Sequence, residues 1–407
     1  MKSFIGRPTN GFLALAAAAA LTSCGEIVQP RSVPVAPTPA LNAVTAQSLM
    51  GRFVSLGTSN SQGAQSAGIS AATQRAAWPA QLALRASVPY DLALLQSPGC
   101  NPPLLPPLAI NLALVAAFGS DLVSAIMTTC APLQSGVMLP ASNLAISGAN
   151  AWDALNSTIE SVAQLSARKA ELYSRVLLPG QTQVTAMLAK QPSFVSVELA
   201  ANEVLPASTG NIAAMTPFTQ WQPVYDAILG AVKSTGAGAV LVGLPNNAAN
   251  FPSIRRAREL FNQAPYLLGL GISVSLNCYF SSNYLFIPGY LLTLLANTPT
   301  TATCRDVPGA ADFVLTSSDI SAINSLMAQM NAHIQAKASA NGWAYFSLSS
   351  LYDLPKPAFK VLDVLFSNAP FGSNISLDGV HPSALGQAIL AAAAAQAINA
   401  KYGVSIP

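Results

Sequence analysis

The sequence predicts an α/β fold in which a parallel β-sheet carries helices on both faces. Short apolar, β-branched segments alternate along the chain with segments of helical periodicity, which is the pattern of successive βαβ units. In Ser318–Lys337, for example, apolar residues recur at steps of three and four and therefore share one helix face. The 407 residues are 51% hydrophobic and only 9% charged, which indicates a large core and argues against disorder.

Five short segments have the residue types of buried strands. They are Phe53–Leu56, Leu144–Ser147, Phe194–Leu199, Ala239–Leu244 and Ala344–Leu348. Longer segments have helical spacing, namely Ala154–Val176, Gln220–Lys233, Ser318–Lys337 and Ser383–Lys401. In an open parallel sheet, ligands bind beyond the carboxyl ends of the strands. We therefore expect functional residues directly after the predicted strands.

The N-terminus has the layout of an export signal. Lys2 and Arg7 precede the apolar run Gly11–Leu21, which is too short to span a bilayer comfortably. The run ends in Leu-Thr-Ser-Cys, which resembles the lipobox of bacterial lipoproteins. That resemblance implies a signal peptide over residues 1–23 and a lipidated Cys24; the alternative is a plain signal peptide with a chance cysteine.

Residues 24–46 contain four prolines and predict an extended tether. The folded domain is then expected over residues 47–407. This organisation predicts a protein of the bacterial cell envelope, extracytoplasmic and held at the membrane only through its N-terminal lipid anchor, or else secreted. The net charge is +3 and no basic cluster is interleaved with aromatic residues, which disfavours nucleic acid as a partner. A monomer is expected.

Apart from Cys24, four cysteines remain, and an even number in an exported chain favours two disulfides. Among three possible connectivities we choose pairing between sequence neighbours, Cys100–Cys130 and Cys278–Cys304; four buried thiols are the alternative. Zinc is disfavoured because the sequence lacks Cys-x-x-Cys and paired-histidine spacings. The cysteines lie in two long segments, residues 87–142 and 252–311, which we interpret as disulfide-stapled insertions flanking the site, the alternative being surface decoration.

Only two histidines are available as a catalytic base. His333 lies within a predicted helix, and we expect no nearby carboxylate to orient it, so we interpret it as a helix-flank residue. His381 follows Asp378 by three residues in SLDGVHPSALG. A carboxylate in such a turn can accept the imidazole N–H, fix the tautomer and stabilise the imidazolium.

The predicted strand ends add the other groups that acyl transfer needs. Ser59 follows the first strand, Gly148 the second and Asn202 the third. With Asp378 and His381 they supply a nucleophile, oxyanion donors and an oriented base. Taken singly, each residue is more often a turn or cap residue; the set in this order is the informative observation.

These blocks, FVSLGTSNSQG, NLAISGAN, LAANEVL and DGVHPSALG, resemble the four blocks of the SGNH (GDSL-type) hydrolases. The resemblance implies a three-layer α/β/α, flavodoxin-like fold with a parallel sheet of about five strands, and an esterase or lipase activity without metal or organic cofactor. It implies Ser59 as nucleophile, His381 as base and Asp378 as its partner. It also implies an oxyanion hole made by the backbone N–H groups of Ser59 and Gly148 and by the Asn202 amide.

Three residues depart from the family pattern. Thr58 stands where the family usually has aspartate before its serine, while Ala200 and Glu203 alter the third block. Ser61 also disfavours the Gly-x-Ser-x-Gly turn of ordinary α/β-hydrolases. The expected function is an exported serine esterase or acylhydrolase acting on lipid or short acyl esters, with apolar residues around Cys278–Leu295 as a candidate acyl pocket. The alternatives are a carbohydrate deacetylase of the same fold and a non-catalytic surface-binding lipoprotein with a decayed site.

Overall fold

A computed structural model of the protein describes residues 44–118 and 129–407. The predicted signal peptide, the lipidation site Cys24 and nearly all of the tether lie outside the described residues. The strands, in chain order, are Phe53–Gly57 (β1), Phe194–Glu198 (β2), Gly238–Gly243 (β3), Ile254–Arg256 (β4), Ile272–Val274 (β5), Tyr284–Phe286 (β6), Thr300–Ala302 (β7), Val314–Leu315 (β8) and Ala344–Ser347 (β9).

The helices of the described residues divide into a few long elements and many short ones. In chain order they are Ala46–Met50 (α1), Ser59–Gln62 (α2), Ala71–Ala76 (α3), Trp78–Arg85 (α4), Leu108–Phe118 (α5), Ala151–Asn156 (α6), Ile159–Ala163 (α7), Ala167–Ser174 (α8), Gln183–Ala189 (α9), Ala201–Val204 (α10), Phe218–Ser234 (α11), Ala257–Phe261 (α12), Ala264–Leu268 (α13), Asn277–Phe280 (α14), Ile287–Ala296 (α15), Ser317–Asn341 (α16), Ser349–Tyr352 (α17), Val361–Phe366 (α18) and Ala384–Tyr402 (α19). Short 3₁₀ turns cover Leu205–Thr209, Ile212–Ala214 and Ala248–Asn250.

The main sheet is parallel, in the order β1-β2-β3-β9. Its side chains alternate between two cores, because successive residues of a strand point to opposite faces. Val195 and Leu241 face the core that contains α11 and α16, whereas Phe194 and Val240 face the core that contains α4 and α19. The predicted fold, with helices on both faces of a parallel sheet, is confirmed.

The predicted strand Leu144–Ser147 is wrong as a strand, although the segment follows the edge of β1. The backbone N–H groups of Leu144 and Ile146 donate to the carbonyls of Ser55 (2.9 Å) and Gly57 (3.1 Å). The ladder is interrupted because the Gly57 N–H donates instead to the Gln183 side chain, at 3.2 Å. This segment therefore runs beside β1 without extending the four-stranded sheet of the described residues.

Three of the predicted helices are confirmed within a turn, as α11, α16 and α19. The fourth, Ala154–Val176, is wrong as one helix and consists of α6, α7 and α8. Thr158 and Ser166 accept hydrogen bonds from backbone N–H groups three residues later, so each starts a new helix. Local capping thus overrides the continuous helical periodicity.

The two predicted disulfides, Cys100–Cys130 and Cys278–Cys304, are present. The second lies in a region that carries a parallel pair, β5-β7, and an antiparallel sheet, β4-β6-β8. Among the helices that can be described, none is both long and apolar enough to cross a membrane.

Candidate active site

Ser59 lies just beyond β1, as the first residue of α2. The chain turns sharply here because Gly57 has no side chain: a Cβ at this position would lie 2.6 Å from Ser61 and 3.2 Å from the Glu198 carboxylate. The serine is nearly buried, with 6% of its surface exposed. A strand that ends in a short helix therefore presents the hydroxyl at the carboxyl edge of the sheet, as the sequence predicts.

Ser59, His381 and Asp378 form one hydrogen-bonded series. His381 Nε2 lies 2.9 Å from Ser59 Oγ, and His381 Nδ1 lies 2.7 Å from Asp378 Oδ2. The other oxygen, Asp378 Oδ1, accepts the backbone N–H groups of Val380 (2.9 Å) and His381 (2.8 Å). A single tight turn thus places both partners of the serine, with Nδ1 aimed at the carboxylate and Nε2 at the hydroxyl.

The turn also shifts the pKa values of both groups. Burial alone would raise the pKa of Asp378, but His381 and the backbone N–H groups hold it well below its usual range. Burial would lower the pKa of His381, whereas Asp378 and, to a smaller extent, Glu198 raise it above 6.5. The imidazole is therefore a stronger proton acceptor than an ordinary histidine.

A loop after α2 holds the Asp378 turn from the other side. Ser66 and Ala67 have left-handed backbone conformations, with φ of +52° and +61°. The Ala67 N–H donates to Asp378 Oδ2 at 2.6 Å, and the Ser66 N–H donates to Ser376 Oγ at 2.9 Å. Sequence reasoning missed this contact because a backbone N–H carries no residue signature.

The two other predicted oxyanion residues lie next to each other. Asn202 is in α10, directly beyond β2, and its side-chain amide donates to the Ala149 carbonyl at 2.7 Å. Gly148 directly precedes Ala149 and has a φ of +76°, a conformation that favours glycine. Asn202 lines the same small cavity as Ser59 and His381. In the described part of the chain, no hydrogen bond occupies the backbone N–H groups of Ser59 or Gly148.

Glu203, a departure from the family pattern, is buried behind this region. One of its oxygens accepts the Ala151 backbone N–H at 2.7 Å, at the start of α6. Burial raises the pKa of Glu203 to about 7, against the opposing effect of that hydrogen bond. The residue thus joins α10 to the segment that carries Gly148.

The interpretation of His333 as a residue without an orienting carboxylate is wrong. Its Nε2 lies 2.8 Å from Asp226 Oδ1, and Lys337 also pairs with Asp226, at 2.9 Å. Asp226 lies in α11, 107 residues earlier, so sequence proximity could not reveal the pair. The group packs against aromatic rings of α11 and is separate from Ser59.

Two cavities meet at His381. The smaller, about 70 Å³, is lined by Ser59, Asn202 and apolar side chains of β4, β8 and α16. The larger, about 430 Å³, extends from Asp378 and His381; we call it the insertion cavity, because residues of both predicted insertions line it. Among them are Leu104, Leu108, Phe286, Leu292 and Leu295.

No protein-family model matches the chain, and no curated protein matches it either. Among solved structures, the chain is similar to a protein from Parabacteroides merdae described as a GDSL-like lipase, with 11% identity, 86% of this chain and 96% of the other covered, and a TM-score of 0.35. It is similar to an acetylxylan esterase from Geobacillus stearothermophilus, with 12% identity, coverage of 87% and 94%, and a TM-score of 0.32. A third similar protein is an α/β hydrolase from the metagenome of Lake Arreo, with 11% identity, coverage of 86% and 94%, and a TM-score of 0.33. At these TM-scores the likeness is distant.

Proposed function

We propose that the protein is a serine hydrolase that cleaves carboxylic esters through an acyl-serine intermediate. The observation that carries the proposal is the series of two short contacts, 2.9 Å from Ser59 Oγ to His381 Nε2 and 2.7 Å from His381 Nδ1 to Asp378. A serine in this arrangement can lose its proton to the imidazole while it attacks a carbonyl.

In the first half of the reaction, Ser59 Oγ forms a bond to the ester carbonyl carbon as its proton passes to His381 Nε2. The developing oxyanion is stabilised by the backbone N–H groups of Ser59 and Gly148 and by the second amide hydrogen of Asn202. His381 then protonates the departing alkoxide, and the alcohol leaves. Asp378 stabilises the imidazolium throughout.

In the second half, water loses a proton to His381 and its oxygen adds to the acyl carbonyl. The new tetrahedral intermediate collapses, the bond to Ser59 Oγ breaks, and the serine regains its proton. The carboxylic acid is released. The raised pKa of His381 suits it to accept a proton in each half.

The insertion cavity favours an apolar acyl or alcohol chain, because about 430 Å³ lined by leucine and phenylalanine side chains adjoins the base. The smaller cavity, about 70 Å³ beside Ser59 and Asn202, suits a short acyl group. It supports the second candidate, a deacetylase whose larger alcohol part occupies the other cavity.

The test is covalent labelling with a fluorophosphonate, together with hydrolysis of p-nitrophenyl acetate, hexanoate and decanoate. We expect labelling at Ser59, no labelling of Ser59→Ala, and turnover that disappears in the same variant. A preference for long chains that is lost in Leu292→Trp but kept in Thr293→Trp, on the same helix, would assign the acyl chain to the insertion cavity. A folded, unlabelled wild type would instead favour a binding lipoprotein.

We also propose that the chain is exported and anchored through Cys24. The charged and apolar order of residues 1–21 and the two disulfides support this. Metabolic labelling with palmitate should mark the wild type and not Cys24→Ser; equal labelling of both would refute the anchor.

A further inference from the structure

A second carboxylate, Glu198, lies directly behind the serine turn. It is the last residue of β2 and only 2% exposed. The Thr58 backbone N–H donates to Glu198 Oε2 at 3.0 Å, and the Thr58 hydroxyl donates at 2.9 Å. The Ser61 hydroxyl donates to the same oxygen at 3.0 Å. Thr58, immediately before Ser59, and Ser61, two positions after it, are therefore both hydrogen-bonded to one buried carboxyl group.

The direction of the hydrogen bond between Ser61 and Glu198 follows from a contact with Trp78. Trp78 Nε1 donates to Ser61 Oγ at 3.2 Å, so the Ser61 hydroxyl hydrogen is free to point at Glu198. Within the described ranges, Glu198 has no cationic partner. Burying an unpaired carboxyl group is costly unless hydrogen bonds satisfy it. Here the donors that satisfy it belong to the turn that carries the nucleophile.

We propose that Glu198 is a positioning residue whose carboxylate holds the serine turn in its attacking geometry. The inference rests on the proposed function. In the family that the sequence resembles, a carboxylate usually stands immediately before the serine; here Thr58 occupies that place and donates to a carboxylate supplied by β2. The carboxylate beside the serine turn is therefore supplied by a strand 140 residues away.

Charge provides a second observation. Besides Asp378, Glu198 raises the pKa of His381. The other titratable groups that sense Glu198 are Glu203 on α10, Tyr225 on α11 and Tyr352 on α17. Burial raises the pKa of Glu198, and the Thr58 and Ser61 hydrogen bonds oppose that rise. On balance the pKa of Glu198 is raised. In its ionised form, which the Thr58 and Ser61 donors favour, Glu198 increases the proton affinity of the base, which a residue that only fills space would not do.

The kinetic test compares the wild type with Glu198→Gln, Thr58→Asp and the double variant Thr58→Asp/Glu198→Gln. The nearly isosteric glutamine should lower kcat at least tenfold, towards the roughly 100-fold loss that a misplaced reacting group produces. KM should stay within about twofold of the wild-type value, because Glu198 does not line either cavity. Thr58→Asp places a second carboxylate beside Glu198, so the two repel each other and kcat should fall further than in Glu198→Gln. The double variant should have a higher kcat than Glu198→Gln alone.

A titration that needs no substrate completes the test. The chain has only two histidines, so NMR can follow His381 directly, with His333→Gln as the assignment variant. We expect the titration midpoint of His381 to fall in Glu198→Gln, at a melting temperature that shows an intact fold.

The two proposals fail in different ways. A wild type that hydrolyses no ester would contradict the proposed function. An active wild type with unchanged kcat and an unchanged His381 midpoint in Glu198→Gln, and with no recovery in the double variant, would overturn the role of Glu198.

Discussion

The two halves of the site are built differently. In the base half, Asp378 and His381 share one turn, and the carboxylate accepts hydrogen bonds from four further groups besides the imidazole. In the oxyanion half, Gly148 and Asn202 come from segments far apart in sequence, and two hydrogen bonds link these segments, from the Asn202 amide to the Ala149 carbonyl and from the Ala151 backbone N–H to Glu203, each at 2.7 Å. The base half is thus determined mainly within one turn and by several donors, whereas the oxyanion half depends on tertiary packing and on two long-range hydrogen bonds.

The largest expected effect falls on the base half. Asp378→Asn keeps the shape of the turn but offers a donor to His381 Nδ1, so the imidazole adopts the wrong tautomer. We expect kcat to fall about 10⁴-fold. Steady-state kinetics measure this, with Ser376→Ala as the control, because Ser376 is only one of several donors to Asp378 and should change kcat less than tenfold. Equal losses in both variants would contradict the redundancy of this half.

An intermediate effect is expected in the oxyanion half. Asn202→Ala removes one donor and its link to Ala149, and should lower kcat by about 10² to 10³-fold with little change in KM. Asn246→Ala is a matched control, since that amide pairs with Asp353 at an exposed position. If Asn202→Ala retained wild-type kcat, Asn202 would be a structural residue and the oxyanion donors would have to be sought elsewhere.

The smallest effect concerns stability. Because burial raises the folded-state pKa of Glu203 to about 7 from 4.5, the folded state keeps a proton that the unfolded state loses, and this contribution to stability declines as pH rises between those values. Glu203→Gln should remove that pH dependence. The free energy of unfolding of Glu203→Gln, relative to wild type, should therefore rise between pH 5 and pH 8. Each kcal/mol of that rise corresponds to a gain of about 2 to 4 °C in melting temperature. A constant difference across this range would mean that Glu203 is not titrating.

The same contrast explains what the sequence could reveal. Asp378 and His381 were identifiable because three residues of spacing suffice to bring them together. Ser59 was identifiable because it follows a β-branched strand, and the strand ends of a parallel sheet converge. Both are short-range patterns combined with one rule of topology.

The misses are contacts that no local pattern encodes. Glu198 reads as part of a strand, yet its partners Thr58 and Ser61 lie about 140 residues away. Asp226 on α11 contacts His333 on α16, 107 residues later in the chain. The single helix predicted over Ala154–Val176 is wrong for a local reason. Side-chain capping by Thr158 and Ser166 starts new helices and so competes with the periodicity of the apolar residues.

The separation of 322 residues between Ser59 and His381 has a consequence for biosynthesis. The nucleophile turn emerges early from the ribosome, but its base lies just before α19, which packs on the sheet beside α4. Closing so long a loop carries an entropy cost that only the completed core offsets. The nascent chain should therefore carry a serine without a base until synthesis has passed His381 and α19 has docked.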